Sequence, residues 1–152
     1  MIWIRIDNRL IHGQVIESWL PNLAAKLLIV ANDELSADPM QQEIMSLAIP
    51  QSVNVEFTSI ADMEQVCVKS RKGDEAVLVL VSSCADAKRL YEQGLMYTVL
   101  NIGNVHYKPG KKQISPSVAL SNDDESCLRF LASKNVELDF RCVPNDRTQV
   151  DF

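Results

Sequence analysis

Short apolar runs recur along this chain, and most are followed by a stretch in which apolar residues return every third or fourth position. The first run, Ile2 to Ile6, predicts a strand. Val15 to Leu23 predicts a helix, with Val15, Trp19 and Leu23 on one face and Pro21 set to kink it or stop it early. Lys26 to Val30 predicts the second strand. Asp38-Pro39 opens a helix to about Ala48, with Asp as N-cap and Pro in the first turn. On that helix Met40, Ile44 and Met45 read as core. Val53 to Phe57 alternates as a third strand.

The pattern continues to the C-terminus. Ser59-Ile60-Ala61-Asp62 resembles a capping sequence for a helix to about Ser70. Ala76 to Val81 is continuously apolar, as in a strand covered on both faces. A helix begins at Ser83 or Cys84 and stops at Gly94. Tyr97 to Ile102 is the next strand, and Gly103 to Ser117 carries the glycines, prolines and lysines of a loop. Ser117 to Leu120 predicts a short strand, Ser121-Asn122-Asp123-Asp124 a cap for a helix to about Lys134, and Val136 to Val143 the last strand. Asn145 to Phe152 reads as a loose tail or a short edge segment. This alternation predicts an α/β fold: an open, mainly parallel sheet with helices on both faces and right-handed crossovers. No repeat or linker divides the chain, so residues 1–152 read as a single domain.

Composition narrows the function classes. A net charge of −5 argues against nonspecific nucleic-acid binding. No apolar run approaches the roughly 20 residues needed to span a bilayer, and Met1 to Ile4 does not open like a signal peptide, which predicts a cytoplasmic protein. Cys67, Cys84, Cys127 and Cys142 show no zinc-ligand spacing with each other or with a histidine, and read as free thiols.

The chemistry concentrates in Arg5-Ile6-Asp7-Asn8-Arg9-Leu10-Ile11-His12-Gly13-Gln14-Val15, the turn between the first strand and the first helix. Ligands of open α/β sheets bind beyond the carboxyl ends of the strands, which is where this turn falls. Neutral imidazole is a nucleophile with a pKa near physiological pH, so His12 suits a residue that takes up and passes on a phosphoryl group. Arg9 shares the turn and can neutralise phosphate oxygens. The N–H groups of Gly13, Gln14 and Val15, at a helix start, can aim at the same oxygens. Asp7 either accepts a hydrogen bond from the far ring nitrogen of His12 or holds Arg9. Arg5 alternates with apolar strand residues and reads as pointing to solvent.

This segment, with Trp19 after it, resembles the signature of IIB components of the bacterial sugar phosphotransferase system (PTS), mannose/sorbose class. Ala37-Asp38-Pro39, Asn101-Ile102-Gly103, Lys111, Gln113-Ile114, Val136-Glu137-Leu138, Arg141 and Val143-Pro144-Asn145-Asp146 extend the likeness over most of the chain. Asn104 stands where the family usually carries a second glycine, and Asn8 replaces a commoner aspartate. At Ser82 to Ala85, Ser-Ser-Cys-Ala replaces a longer polar residue. The resemblance implies that His12 accepts a phosphoryl group from a phospho-IIA partner on the ring nitrogen nearer the backbone. It then donates the group to a sugar delivered by the membrane IIC and IID partners. It implies no metal or organic cofactor.

Other residues have weaker patterns. His106, Lys108 and Lys111, with Lys112, form either a docking edge for a phosphate-bearing or acidic partner or a solvated loop. Asp33 follows the second strand and reads as a cap or turn residue. Two further functions compete with a phosphoryl carrier. One is a regulatory phosphoprotein of the same fold; the other is a nucleotide-binding domain, which the absence of G-x-G-x-x-G and G-x-x-x-x-G-K-[ST] disfavours.

Overall fold

A computed structural model describes all 152 residues. Six parallel strands form one open sheet in the order β3-β2-β4-β1-β5-β8. They are β1 (Ile2–Asp7), β2 (Leu27–Ala31), β3 (Asn54–Thr58), β4 (Val77–Val81), β5 (Val99–Asn104) and β8 (Glu137–Asp139). The remaining two, β6 (Lys112–Ser115) and β7 (Val118–Leu120), make a separate antiparallel pair. It is built from the segment expected to be loop together with the short strand expected at Ser117 to Leu120. The helices are α2 (Asp33–Ser36), α3 (Pro39–Ser46), α4 (Met63–Ser70), α5 (Cys84–Glu92) and α6 (Asn122–Ser133). A π-helical segment, Val15–Trp19, runs directly into an α-helical turn, Leu20–Leu23, and the two together are α1.

The two faces of the sheet carry separate cores, as period-two strands between two helix layers require. Ile4, Ile6, Ile29, Val79 and Ile102 pack with Met63, Ala87, Leu90, Leu128 and Leu131 on one side. Leu28, Val30, Leu78 and Leu80 pack with Val15, Trp19 and Leu35 on the other. β1 lies between β4 and β5 near the middle of the sheet, so its carboxyl end opens between neighbours on both sides.

Three of the predicted caps form. Asp38 accepts from the Gln41 N–H, Ser83 from Asp86, and Ser121 and Asp124 make a reciprocal capping box. Gly94 takes φ 112° just past the end of α5, a left-handed stop suited to glycine. Pro21 neither kinks nor ends α1 outright. Its ring cannot tolerate a normal α-helical carbonyl four residues back, and just before it the Leu20 N–H reaches the Val15 carbonyl in the wider π register.

Several expectations need correction. α4 starts at Met63, a turn later than Ser59, whose hydroxyl instead accepts from the Asp62 N–H in a local turn. α2 falls where no helix was expected; its cap is Asn32, which accepts from Leu35, while Asp33 is the first helical residue. α3 buries no residue at all: Met40 is 73% exposed and Ile44 54%, and only Met45 packs partly against the core. β8 ends at Asp139 rather than Val143, because the carbonyls of Asp139 and Arg141 turn to accept from the Asn101 amide. The C-terminal residues are neither loose nor an edge strand. Asp146 caps the Cys142 N–H, and Phe152 packs on Phe140 and under Arg129.

Candidate active site

The carboxyl end of β1 builds the site. Trp3, Arg5 and Asp7 share the α1 face of the strand, opposite Ile4 and Ile6. Arg5 and Asp7 are both fully buried, which corrects the solvent-facing reading of Arg5. Arg5 donates to Asp7 Oδ2 from Nε at 3.2 Å and Nη2 at 3.0 Å, and to Asn101 Oδ1 from Nη1 at 2.7 Å. Its Cζ lies 5.2 Å from the Trp19 ring centre, a cation–π contact in a desolvated setting. Burial pulls the Arg5 pKa below its ordinary value, and the neighbouring Asp7 charge works against that pull.

β5 makes room for this pair by a bulge. Arg5 pairs with Asn101 and Ile6 with Ile102, but Asp7 pairs with Asn104, so Gly103 is the extra residue. A Cβ on Gly103 would overlap the Arg5 guanidinium. The bulge also brings Asn104 opposite Asp7, and its amide donates to Asp7 Oδ2 at 2.9 Å and to Gln14 Oε1 at 2.9 Å.

After β1 the chain turns tightly. The Leu10 N–H closes onto the Asp7 carbonyl, and the Arg9 N–H onto Asp7 Oδ1. Leu10 adopts φ 59°, a left-handed conformation costly for a branched side chain, and its burial in the second core offsets the cost. This turn places His12 with Nε2 2.6 Å from Asp7 Oδ2 and its side chain 13% exposed. A carboxylate already held by Arg5 can only accept, so Nε2 is the donor, and in the neutral ring the lone pair lies on Nδ1. Of the two roles open to Asp7, it orients His12; it touches Arg9 only through the backbone.

Helical backbone begins at Gly13, two residues ahead of α1. The N–H groups of Gly13 and Gln14 donate to nothing within the protein, whereas that of Val15 is held by the His12 carbonyl at 3.0 Å. Two of the three predicted backbone donors are therefore free. Arg9 is exposed and makes no side-chain hydrogen bond. With Asn8, Asn104, His106, Tyr107 and Gln113 it lines a cavity of about 280 Å³. Lys108 is exposed on the same loop. Lys111 is not free, because its ammonium pairs with Asp124 at 3.0 Å. Asp33 also lies outside the site: it accepts from the Ile60 N–H and from Arg89, and both hold its pKa below the ordinary value.

Cys142 is the remaining neighbour. Its thiol lies 3.4 Å from Gln14 Oε1 and 3.7 Å from Asn104 Oδ1, and its carbonyl accepts from Trp19 Nε1 at 3.0 Å. Arg5, Asn101, Asn104 and Cys142 are site residues that spacing alone does not reveal. A signal exists for Arg5: two charged residues, Arg5 and Asp7, fall on one face of a strand whose β4 neighbour is apolar throughout, so neither reaches water on that side.

The family model for PTS system sorbose subfamily IIB components matches residues 1–151. The chain belongs to that family. It is 34% identical over 142 residues to the sorbose-specific EIIB component of Klebsiella pneumoniae, covering 93% of this chain and 87% of that one. It is 31% identical to the mannose-specific EIIAB component of Escherichia coli K12, of which it spans only 44%. The crystal structure of a PTS-dependent N-acetyl-galactosamine IIB component from Streptococcus pyogenes superposes with a TM-score of 0.91 at 34% identity, covering 99% of this chain and 93% of that one. This IIB protein is thus a component of the sugar phosphotransferase system. These relatives are named for sorbose, mannose and N-acetyl-galactosamine. No helix of this IIB protein is long and apolar enough to cross a membrane.

Proposed function

We propose that His12 carries the phosphoryl group in this IIB protein, on Nδ1. The observation that carries the reading is the short contact between His12 Nε2 and Asp7, which leaves Nδ1 as the unprotonated nitrogen. The Nδ1 lone pair attacks the phosphorus of a phosphohistidine on a IIA partner. A P–N bond forms on His12 as the donor's P–N bond breaks, and the donor imidazole keeps the released electron pair. In the second step a sugar hydroxyl attacks the same phosphorus, the His12 P–N bond breaks, and the hydroxyl proton passes to the freed imidazole. Both steps rely on positioning and charge stabilisation. The free N–H groups of Gly13 and Gln14 and the Arg9 guanidinium supply that stabilisation. Asp7 holds the ring and its tautomer, backed by Arg5.

The donor is a phospho-IIA protein or domain. The acceptor sugar is presented by membrane IIC and IID partners to a IIB protein working in the cytoplasm. His106 and Lys108, exposed beside the Arg9 cavity, meet the docking partner, whereas Lys111 serves the fold through Asp124. The scheme calls for no metal or organic cofactor.

The test is acid-labile phosphate incorporation from phosphoenolpyruvate through the upstream carriers and a IIA partner. Wild type is labelled on one histidine and His12→Ala is not. Equal labelling of the two proteins would sink the proposal.

A further inference from the structure

We infer that Asn104 is a positioning residue for phosphoryl transfer, setting both the side chain that holds His12 and a side chain beside it. The inference rests on the reading of His12 as the carrier. The Asn104 amide has two N–H bonds and uses each on a different neighbour, Asp7 Oδ2 at 2.9 Å and Gln14 Oε1 at 2.9 Å. Its own carbonyl faces the Cys142 thiol at 3.7 Å. The orientation of the amide is therefore determined by chemistry, since the flipped form would set an oxygen against the Asp7 carboxylate.

Two consequences follow for His12. Asp7 Oδ2 receives hydrogen bonds from Arg5, Asn104 and His12 together, so the carboxylate is fixed from the β5 side as well as from its own strand. Gln14 is fixed by its oxygen, so its NH2 group, which has no partner in the protein, is the end left to donate. Gln14 is adjacent to the free backbone donors of the helix start, and a donor there meets phosphoryl oxygens. Asn104 reaches that position only because the Gly103 bulge shifts the β1–β5 register by one residue.

The experiment is the pH profile of phosphoryl uptake for wild type, Asn104→Ala and Asn104→Asp. The charged or titrating groups facing this position are Asp7 and Arg5 on β1, His12 in the turn, Cys142 after β8, and Arg9 and His106 across the cavity. Asn104→Ala removes both donors and lowers kcat roughly tenfold at every pH, with the KM for the phospho-donor unchanged. Asn104→Asp is nearly isosteric. Ionised, its carboxylate repels Asp7; protonated, it donates to Asp7 as the amide does. Its rate relative to wild type is therefore about tenfold down near pH 8 and recovers as the pH falls towards about 5. Taking the ratio to wild type at each pH removes the pH dependence that the two proteins share. A ratio flat with pH, or uptake within about twofold of wild type for both variants, overturns the inference.

A second readout does not depend on transfer. The Nε2–H proton of His12, held against Asp7, exchanges with solvent roughly threefold or more faster in Asn104→Ala than in wild type, because Asp7 is then held from one side only. Equal exchange in the two proteins overturns the role of Asn104. Absence of labelling in wild type would instead overturn the carrier role of His12 and leave the exchange measurement to decide on Asn104.

Discussion

Gly103 and Arg5 compete for the same volume: a side chain on the glycine would overlap the buried guanidinium. Everything at the site depends on that guanidinium staying where it is. It anchors Asp7, which anchors His12, and it ties β1 to Asn101 on β5. Gly103→Ala therefore forces either Arg5 or the β5 backbone to move. We expect a loss of roughly 3 kcal/mol, combining overpacking with damage to a buried ion pair. Urea unfolding measures it, and a loss below about 0.5 kcal/mol, the scale of ordinary surface changes, would show that Arg5 relocates freely.

Asp7→Asn tests the tautomer rather than the packing. The amide keeps the shape of the carboxylate but no longer accepts at both oxygens, so it can turn its NH2 towards His12 Nε2 and protonate the wrong nitrogen. Uptake of phosphate on His12 should fall on the order of 100-fold or more, as when an orienting carboxylate is lost elsewhere. The buried Arg5 charge also loses its partner, so stability falls as well. Initial rates must therefore be compared at a temperature where circular dichroism shows both proteins folded. Rates within about threefold of wild type would remove Asp7 from the mechanism.

Arg9 gives the opposite separation. Its side chain is exposed and unbonded, so Arg9→Ala should leave unfolding within about 0.5 kcal/mol of wild type. Phosphoryl uptake should still drop by about 10- to 100-fold, because the cation stabilises charge developing on the transferred group. Parallel thermal melts and labelling rates check both halves. A variant that transfers normally would assign the charge stabilisation to the backbone donors alone.

Much of this was legible in the sequence. All six sheet strands were expected from the sequence; β2 and β4 are apolar throughout, because a strand buried on both faces has little room for polar residues. The caps at Asp38, Ser83 and Ser121 were legible for a local reason: a short polar side chain and the next turn's N–H suffice to make them. Asp7, Arg9, His12, Gly13 and Gln14 were legible because they lie within one turn. The partners that arrive from β5 and beyond β8 were not. Asn101, Asn104 and Cys142 lie roughly a hundred residues or more away along the chain, and a bulge of one residue decides which of them faces Asp7. The π winding of α1 is also non-local, since it seats Trp19 between Trp3, Arg5 and the Cys142 carbonyl.

The helix at α3 shows how periodicity misleads. Met40 and Ile44 recur as a buried stripe would, yet both lie on the open side of a helix that meets the core only through Met45. Met40→Gln and Ile44→Gln should each change unfolding by no more than about 0.5 kcal/mol, against about 3 to 5 kcal/mol for Trp19→Ala in the core beneath Arg5. Chemical denaturation of the three variants decides it, and a loss above about 1.5 kcal/mol for Met40→Gln would mean the residue is covered in solution.

Lys111 and Asp124 give a pH dependence with a definite sign. Burial works to raise the Asp124 pKa, but hydrogen bonds from the Ser121 N–H and from Lys111 outweigh it and hold the group below its ordinary 3.8. The folded-state pKa is thus depressed. The stabilisation is present above the unfolded value and is lost as the pH falls from there through the folded value. Wild type should therefore lose more stability than Asp124→Asn as the pH drops from about 5 into the acid range, so the two unfolding curves converge there. At neutral pH Asp124→Asn should cost about 1 kcal/mol, because the amide still caps Ser121 but no longer pairs with Lys111. Lys111→Met should remove the Lys111 part of that pH dependence while leaving the capping box in place. If its denaturation profile between about pH 2 and 6 matched that of wild type, the ion pair would play no part in holding the β6–β7 hairpin to α6.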